Sequence, residues 1–406
     1  MNQSLSVAPT VEEPTHENPA VTKQQEFVKQ LTVLFLEMLL ALPLGLLLAK
    51  FRSGGIAWIF GGIVAGTVVL QGCRIFYQYS PKPNRTARKV GMALVGLNVG
   101  ASNGYSDIAT VASNVPIFIF LTLFLLLCGS CIGYIYSRVS KTNLLTAMLA
   151  TVPGGVGVMA AIAADYDRNV SLVALVQAIR VTSVVFLIPL IAKTSVGNYW
   201  NSPTLPVKNA LLNFDPSQLG LLLLVLLITG LVVYFAILFK IPAGDFFGAL
   251  LIGIGFNPLL HLLPFTGDIH FNPPQLINLL GQMLLGITIG EYWGDKATFG
   301  KKTIVYALMS VAMTLAAGAI AAILAMQLTS WDWLTCLLVT APGGSAEMIL
   351  VSLALHHNVE VVTTGHLVRL IAINSSLPLW IFLFRRLDSE VSKVETRHGA
   401  SLQVKS

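Results

Sequence analysis

Residues 151–180 read TVPGGVGVMAAIAADYDRNVSLVALVQAIR, and residues 340–369 read TAPGGSAEMILVSLALHHNVEVVTTGHLVR. The two stretches superpose without a gap at a shift of 189 positions. Thr151, Pro153, Gly154 and Gly155 fall on Thr340, Pro342, Gly343 and Gly344. Met159 falls on Met348, Asn169-Val170 on Asn358-Val359, Arg180 on Arg369, and Pro189-Leu190 on Pro378-Leu379. Nearby shifts carry the match outward: Gly91, Gly96 and Gly100 meet Gly281, Gly286 and Gly290, and Gly61 and Gly66 meet Gly248 and Gly253. The chain therefore reads as two copies of one unit. Two copies are too few, and each too long, for a solenoid, whereas secondary transporters are built from paired repeats of this size.

The surroundings of these stretches decide the class. Apolar residues make up 55% of the chain and charged residues only 11%, with a mean hydropathy of +0.75. Soluble domains carry about 25% charged residues. Several apolar runs approach the roughly 20 residues that cross a bilayer as helix. Runs such as 115–129 and 219–233 lack the alternation of barrel strands, so helices are expected. The expected segments are 31–48, 56–71, 91–101, 115–136, 144–164 and 172–192. The pattern then restarts at 219–239, 246–263, 279–290, 304–326, 334–355 and 361–384. The fold class is an all-α polytopic membrane protein, transporter-like, with about six helices per copy and a Pro-Gly-Gly break in one helix of each. The domains are a disordered tail (1–26), a first membrane repeat (27–193), a linker (194–216), a second repeat (217–384) and a C-terminal tail (385–406). The expected partners are the lipid bilayer and a small-molecule or ion substrate, with a homo-oligomer left open.

The net charge of +6 fits Lys and Arg in cytoplasmic loops better than nucleic-acid binding. Charge also bears on orientation. The loop after the second segment is strongly basic, while its partner after the eighth has neither Lys nor Arg; the loops after the third and ninth show the opposite bias. That favours inverted repeats. Six segments per copy and a basic C-terminal tail favour parallel ones. A re-entrant segment would reconcile the two.

Pro lacks an N–H and Gly frees the backbone, so Pro153-Gly154-Gly155 and Pro342-Gly343-Gly344 should unwind their helices. Unwound backbone at membrane depth needs protein or a water-filled cavity around it. Each second half-helix would present its N-terminal N–H groups there, an end that attracts anions. Arg180 and Arg369 are matched charges inside apolar segments, where a partner is required. They could bind an anionic substrate, or cap carbonyls freed by the breaks. Gln177 and His366 precede them by one turn on the same face. Glu347 sits in the first turn after its break, where the helix dipole favours a carboxylate; it is the candidate coupling group, and its match is Val158. Glu37, inside the first segment, is a candidate partner for an arginine.

Cys128 and Cys131 form a CxxC inside an apolar run, without the second ligand set that a metal site needs. His356-His357 lack a third ligand nearby. Neither metal nor cofactor is expected. No Walker loop, HExxH or GxSxG elbow is present, so no enzyme is expected either. The glycines of 91–100 read as close helix packing.

The pair of quoted stretches resembles the duplicated AbrB-type membrane protein family, over about residues 30–385. The APGG-x-x-EM form lies at Ala341–Met348, while the first copy reads VPGGVGVM and lacks the acid. The resemblance implies a protein of the inner (plasma) membrane, similar in plan to the cation–proton antiporters and anion transporters. The family's names also imply a regulator of gene expression or an ammonia monooxygenase. The former needs a partner-binding surface that the short tails barely offer; the latter needs clustered histidines, and His16, His261, His270 and His398 are scattered.

Overall fold

The computed structural model describes residues 19–50, 57–78, 83–102, 113–195, 216–239, 241, 243–262, 271–292, 299–355 and 357–403. Among the described residues the chain is all-helical. The first half holds α1 (Pro19–Lys50), α2 (Ala57–Tyr77), α3 (Arg85–Ser102), α4 (Val115–Ser140), α5 (Leu144–Thr151), α6 (Val156–Asp165) and α7 (Val170–Ser195). The second holds α8 (Pro216–Leu238), α9 (Gly244–His261), α10 (Gln275–Glu291), α11 (Lys301–Leu328), α12 (Trp333–Thr340), α13 (Ser345–Ala354) and α14 (Val359–Gln403). Seven of them, α1, α2, α4, α7, α8, α11 and α14, are long and apolar enough to cross a membrane. Most of the expected linker, most of the expected N-terminal tail and His356 lie outside the described residues.

Two bundles form. In one, α2 packs on α10 and α3 on α9, with α1 and α8 on the outside. Glycines bring the backbones together: a Cβ on Gly286 would fall 2.2 Å from the Ile59 carbonyl, and one on Gly100 2.2 Å from that of Leu250. The glycines of 91–100 thus serve the close packing expected of them. Outward faces of α1 and α8 carry Leu39, Leu42, Leu223 and Leu227 exposed, as lipid requires and water would penalise. The other bundle packs α4, α5, α6 and α7 with α11, α12, α13 and α14. Its helices interlock through the breaks: Pro153 lies against Gly129 of α4, and Pro342 against Gly318 of α11.

Both broken segments are pairs of half-helices, so six segments per copy become seven helices. Asn143 caps α5, accepting from Leu145 and Thr146 N–H, and Asp332 caps α12 through Leu334 and Thr335 N–H. The second pair doubles back. Asn358, just before α14, donates to Thr335 Oγ1 at 2.9 Å and to Asp332 Oδ1 at 3.4 Å, and His357 Nδ1 lies 3.5 Å from Asp332 Oδ2. The end of α13 therefore returns to the start of α12, and the pair is a re-entrant hairpin.

Candidate functional site

The breaks orphan backbone carbonyls, and the matched polar residues of α7 and α14 take them up. Arg180 Nη1 donates to the carbonyls of Thr151 (3.2 Å) and Val152 (3.3 Å), and Nη2 to Gln177 Oε1 (2.5 Å). Gln177 Nε2 donates to Leu149 O (2.8 Å) and Val152 O (3.1 Å). In the second copy Arg369 Nη1 donates to Ala341 O (2.7 Å) and Nη2 to Gly343 O (3.4 Å) and His366 Nδ1 (2.5 Å). His366 Nε2 meets Leu338 O at 3.0 Å. With an arginine donating to Nδ1, the imidazole is neutral and carries its proton on Nε2. Of the two roles open to the arginines, capping is thus filled in both copies. Matched hydroxyls add to it: Thr151 Oγ1 donates to Gly129 O, and Thr340 Oγ1 to Gly318 O, both at 3.0 Å.

A cavity of about 370 Å³ lies between the two bundles and joins the breaks. Its walls include Pro153, Gly154 and Gly155 from one break, Gly343, Gly344 and Ser345 from the other, and Glu347, Val158 and Arg369 beyond them. Arg180, Gln177 and His366 stand behind this wall, fully buried. Gly155 holds φ +81° with no neighbour near a would-be Cβ, so its conformation, not crowding, calls for glycine. Gly344 has φ −72°, but a Cβ there would fall 1.9 Å from Glu347 Oε2. The Glu347 carboxylate thus lies against the break of its own copy, while Val158 leaves the α6 N-terminus without an acid.

The opposite wall was not foreseen. Arg85, Arg88 and Lys89 belong to α3, which extends six residues before the expected start at 91, and all three line the cavity. Asn84 initiates the helix, its Oδ1 accepting from Thr86 and Ala87 N–H. The signal was present: an Asn N-cap followed by cations at i, i+3 and i+4 on one face. Arg88 Nη1 donates to Tyr292 Oη at 2.7 Å, and Glu347 and Asp245 lie within its electrostatic reach.

Glu37 requires a correction. It is fully buried, but among the described residues neither carboxylate oxygen has a hydrogen-bond partner, so no described arginine pairs with it. The charge whose field reaches it is that of Glu291 at the end of α10, because α1 packs on α2 and α10 rather than on α7 or α14.

Across residues 58–385 the sequence matches the family described as "Transition state regulatory protein AbrB". The chain belongs to this family. It is 25% identical over 350 residues to YhjN, an uncharacterized protein of Bacillus subtilis (strain 168), covering 82% of this chain and 89% of that one. It is 26% identical over 298 residues to the "Putative regulator AbrB" of Escherichia coli (strain K12), covering 71% of this chain and 80% of the relative. No solved structure matches. The member of the AbrB family described here is a helical membrane protein with one cavity shared by its two broken segments.

Proposed function

We propose that the protein is a secondary transporter of a small anionic solute, resident in the plasma (inner) membrane. The observation that carries this reading is the shared cavity. Among the described residues it gathers Arg85, Arg88, Lys89 and Arg369 against only Asp245 and Glu347. The cations of α3 also sit in its first turns, where the helix dipole repels them by up to about 1 kcal/mol each. A bound anion relieves both the charge excess and the dipole conflict. The half-helix N-terminus at Val156 adds N–H donors for the same ligand. Placement between two bundles suits alternating access, in which one bundle moves against the other around the site.

A thermal-shift screen of the purified protein against carboxylates, phosphate and sulfate tests this. A binder present at 100 times its Kd stabilises the fold by about 2.7 kcal/mol. The stabilisation, and uptake of the same anion into proteoliposomes, should be lost in Arg88→Gln/Lys89→Gln and kept in Arg138→Gln, which alters a cation outside the cavity. Full binding and uptake by a folded double variant would refute the assignment.

A second reading, a membrane-embedded regulator acting through a partner, is favoured by the names of the family and of the E. coli relative. Removing residues 390–406 separates the two: a regulator that signals through that end loses its output, and a transporter keeps its uptake.

A further inference from the structure

On the basis of the transport reading, we propose that the solute is an organic carboxylate with an apolar body. Its carboxylate sits against Gly155 at the start of α6, in the place that Glu347 occupies against Gly344 at the start of α13. The two breaks match position for position. Pro153 lies against Gly129 and Pro342 against Gly318, and a Cβ on Gly154 or Gly343 would meet the matched Met159 or Met348. They part at the second glycine. A Cβ on Gly344 would fall 1.9 Å from Glu347 Oε2, whereas one on Gly155 would have no neighbour within 4 Å. Glu347 is 4% exposed, while Val158, aligned with it, is 41% exposed. The second copy thus carries its own carboxylate, and the first has room for one. Both places line the same cavity.

The start of α6 is built to receive such a group. Its first internal bond runs from Met159 N–H to Gly155 O at 3.1 Å, so the N–H groups of residues 156–158 have no partner inside the helix. In α13 the matching bond runs from Met348 N–H to Gly344 O at 3.2 Å. There Glu347, three residues after the cap, folds back over the end in the manner of a capping box. The two glycines differ in φ, +81° against −72°, but share ψ, 137° against 144°, so the chain leaves each of them into its helix in the same way. A helix N-terminus alone would accept any small anion. Two observations narrow the class. The group that the fold already accommodates at the matched end is a carboxylate. The cavity wall is also apolar as well as basic, since Met92, Val158, Leu370 and Ile373 line it beside the cations. Phosphate or sulfate would leave that apolar surface uncovered, and the hydrocarbon body of an organic acid covers it.

Equilibrium dialysis of the full-length protein in detergent against radiolabelled acetate, butyrate, phosphate and sulfate tests the assignment. Butyrate should bind roughly 15-fold more tightly than acetate, as two more buried CH₂ groups require. Val158→Glu should give the first copy its own acid and abolish butyrate binding. Glu347→Val should open the second end and raise bound butyrate from one per protein to two. Loss of the Glu347 charge by itself would tighten the first site without adding another, so the stoichiometry separates the two effects. A folded Val158→Glu protein that binds butyrate as the unaltered one does overturns the proposal, and so does a Glu347→Val protein that still binds one. If Val158→Glu does not fold, the stoichiometry of Glu347→Val decides. Binding of phosphate or sulfate without either carboxylate overturns the carboxylate assignment and leaves the transport reading standing. Binding of none of the four overturns both.

Discussion

Gln177 and His366 fill one role with different chemistry. Each sits one turn before its arginine, donates to a carbonyl 28 residues earlier and accepts from the guanidinium. An amide can do both, since Nε2 donates and Oε1 accepts, as Gln177 demonstrates. His366→Gln should therefore leave the melting temperature in detergent nearly unchanged. His366→Leu should lower it, because it strands the Leu338 carbonyl and one arginine N–H, at about 1 to 3 kcal/mol for each buried group. Equal losses in both variants would show that ring packing, not hydrogen bonding, holds this position. The glycines of the breaks differ in the same spirit. Gly155→Ala should cost about 1 to 3 kcal/mol through its positive-φ, extended-ψ backbone. Gly344→Ala should cost stability only while Glu347 is present, so a double-mutant cycle with Glu347→Ala should show coupling of about 0.5 to 3 kcal/mol, and Gly155→Ala should show none with Val158→Ala.

Elements were legible where the pattern was strong and illegible where three-dimensional closure decided. Pro153-Gly154-Gly155 and Pro342-Gly343-Gly344 announced the breaks, because Pro and Gly act on the local backbone. The start of α3 was missed although Asn84 and the spacing of Arg85, Arg88 and Lys89 signalled it, because those cations next to an apolar segment also read as loop charges. Glu37 was mispaired, since hydropathy places a residue in a helix but does not say which helices pack together. The turning back of α12 and α13 was legible only as an option: a re-entrant segment would reconcile the charges with the count, but an apolar run of 22 residues at 334–355 is long enough to cross, and the contacts of His357 and Asn358 with the start of α12 show that it returns. That closure makes Asp332 a test of the element. It caps α12, receives Asn358 and lies beside His357. Asp332→Ala should cost about 1 to 2 kcal/mol in thermal melts, whereas Asp332→Asn should keep the cap, as Asn143 does for α5.

A hairpin that returns changes the count of crossings for the whole molecule. If α5 and α6 double back as α12 and α13 do, and the shorter α3, α9 and α10 cross along with the seven long apolar helices, each half crosses five times, and an odd number sets the two halves in opposite orientations. The charges then fall into line. The end of α2, the start of α11 and the end of the span in α14 all reach one face, with Arg74, Lys301, Lys302 and Arg386 on it. The C-terminal ends of α3 and α9, followed by stretches with neither Lys nor Arg, reach the other, as the bias of basic residues toward the cytoplasm requires. The basic C-terminal end, which argued for parallel repeats while six crossings were counted, now argues for inverted ones. Thr142 and Thr329, at the ends of α4 and α11, should consequently lie on opposite faces. In a background with Cys73, Cys128, Cys131 and Cys336 replaced by Ser or Ala, Thr142→Cys should react with a membrane-impermeant maleimide only after the membrane is opened, and Thr329→Cys in intact cells. Labelling of both from one side would mean six crossings per half and parallel copies. The shared cavity would then have to be opened alternately by some motion other than the exchange of two mirror-oriented halves.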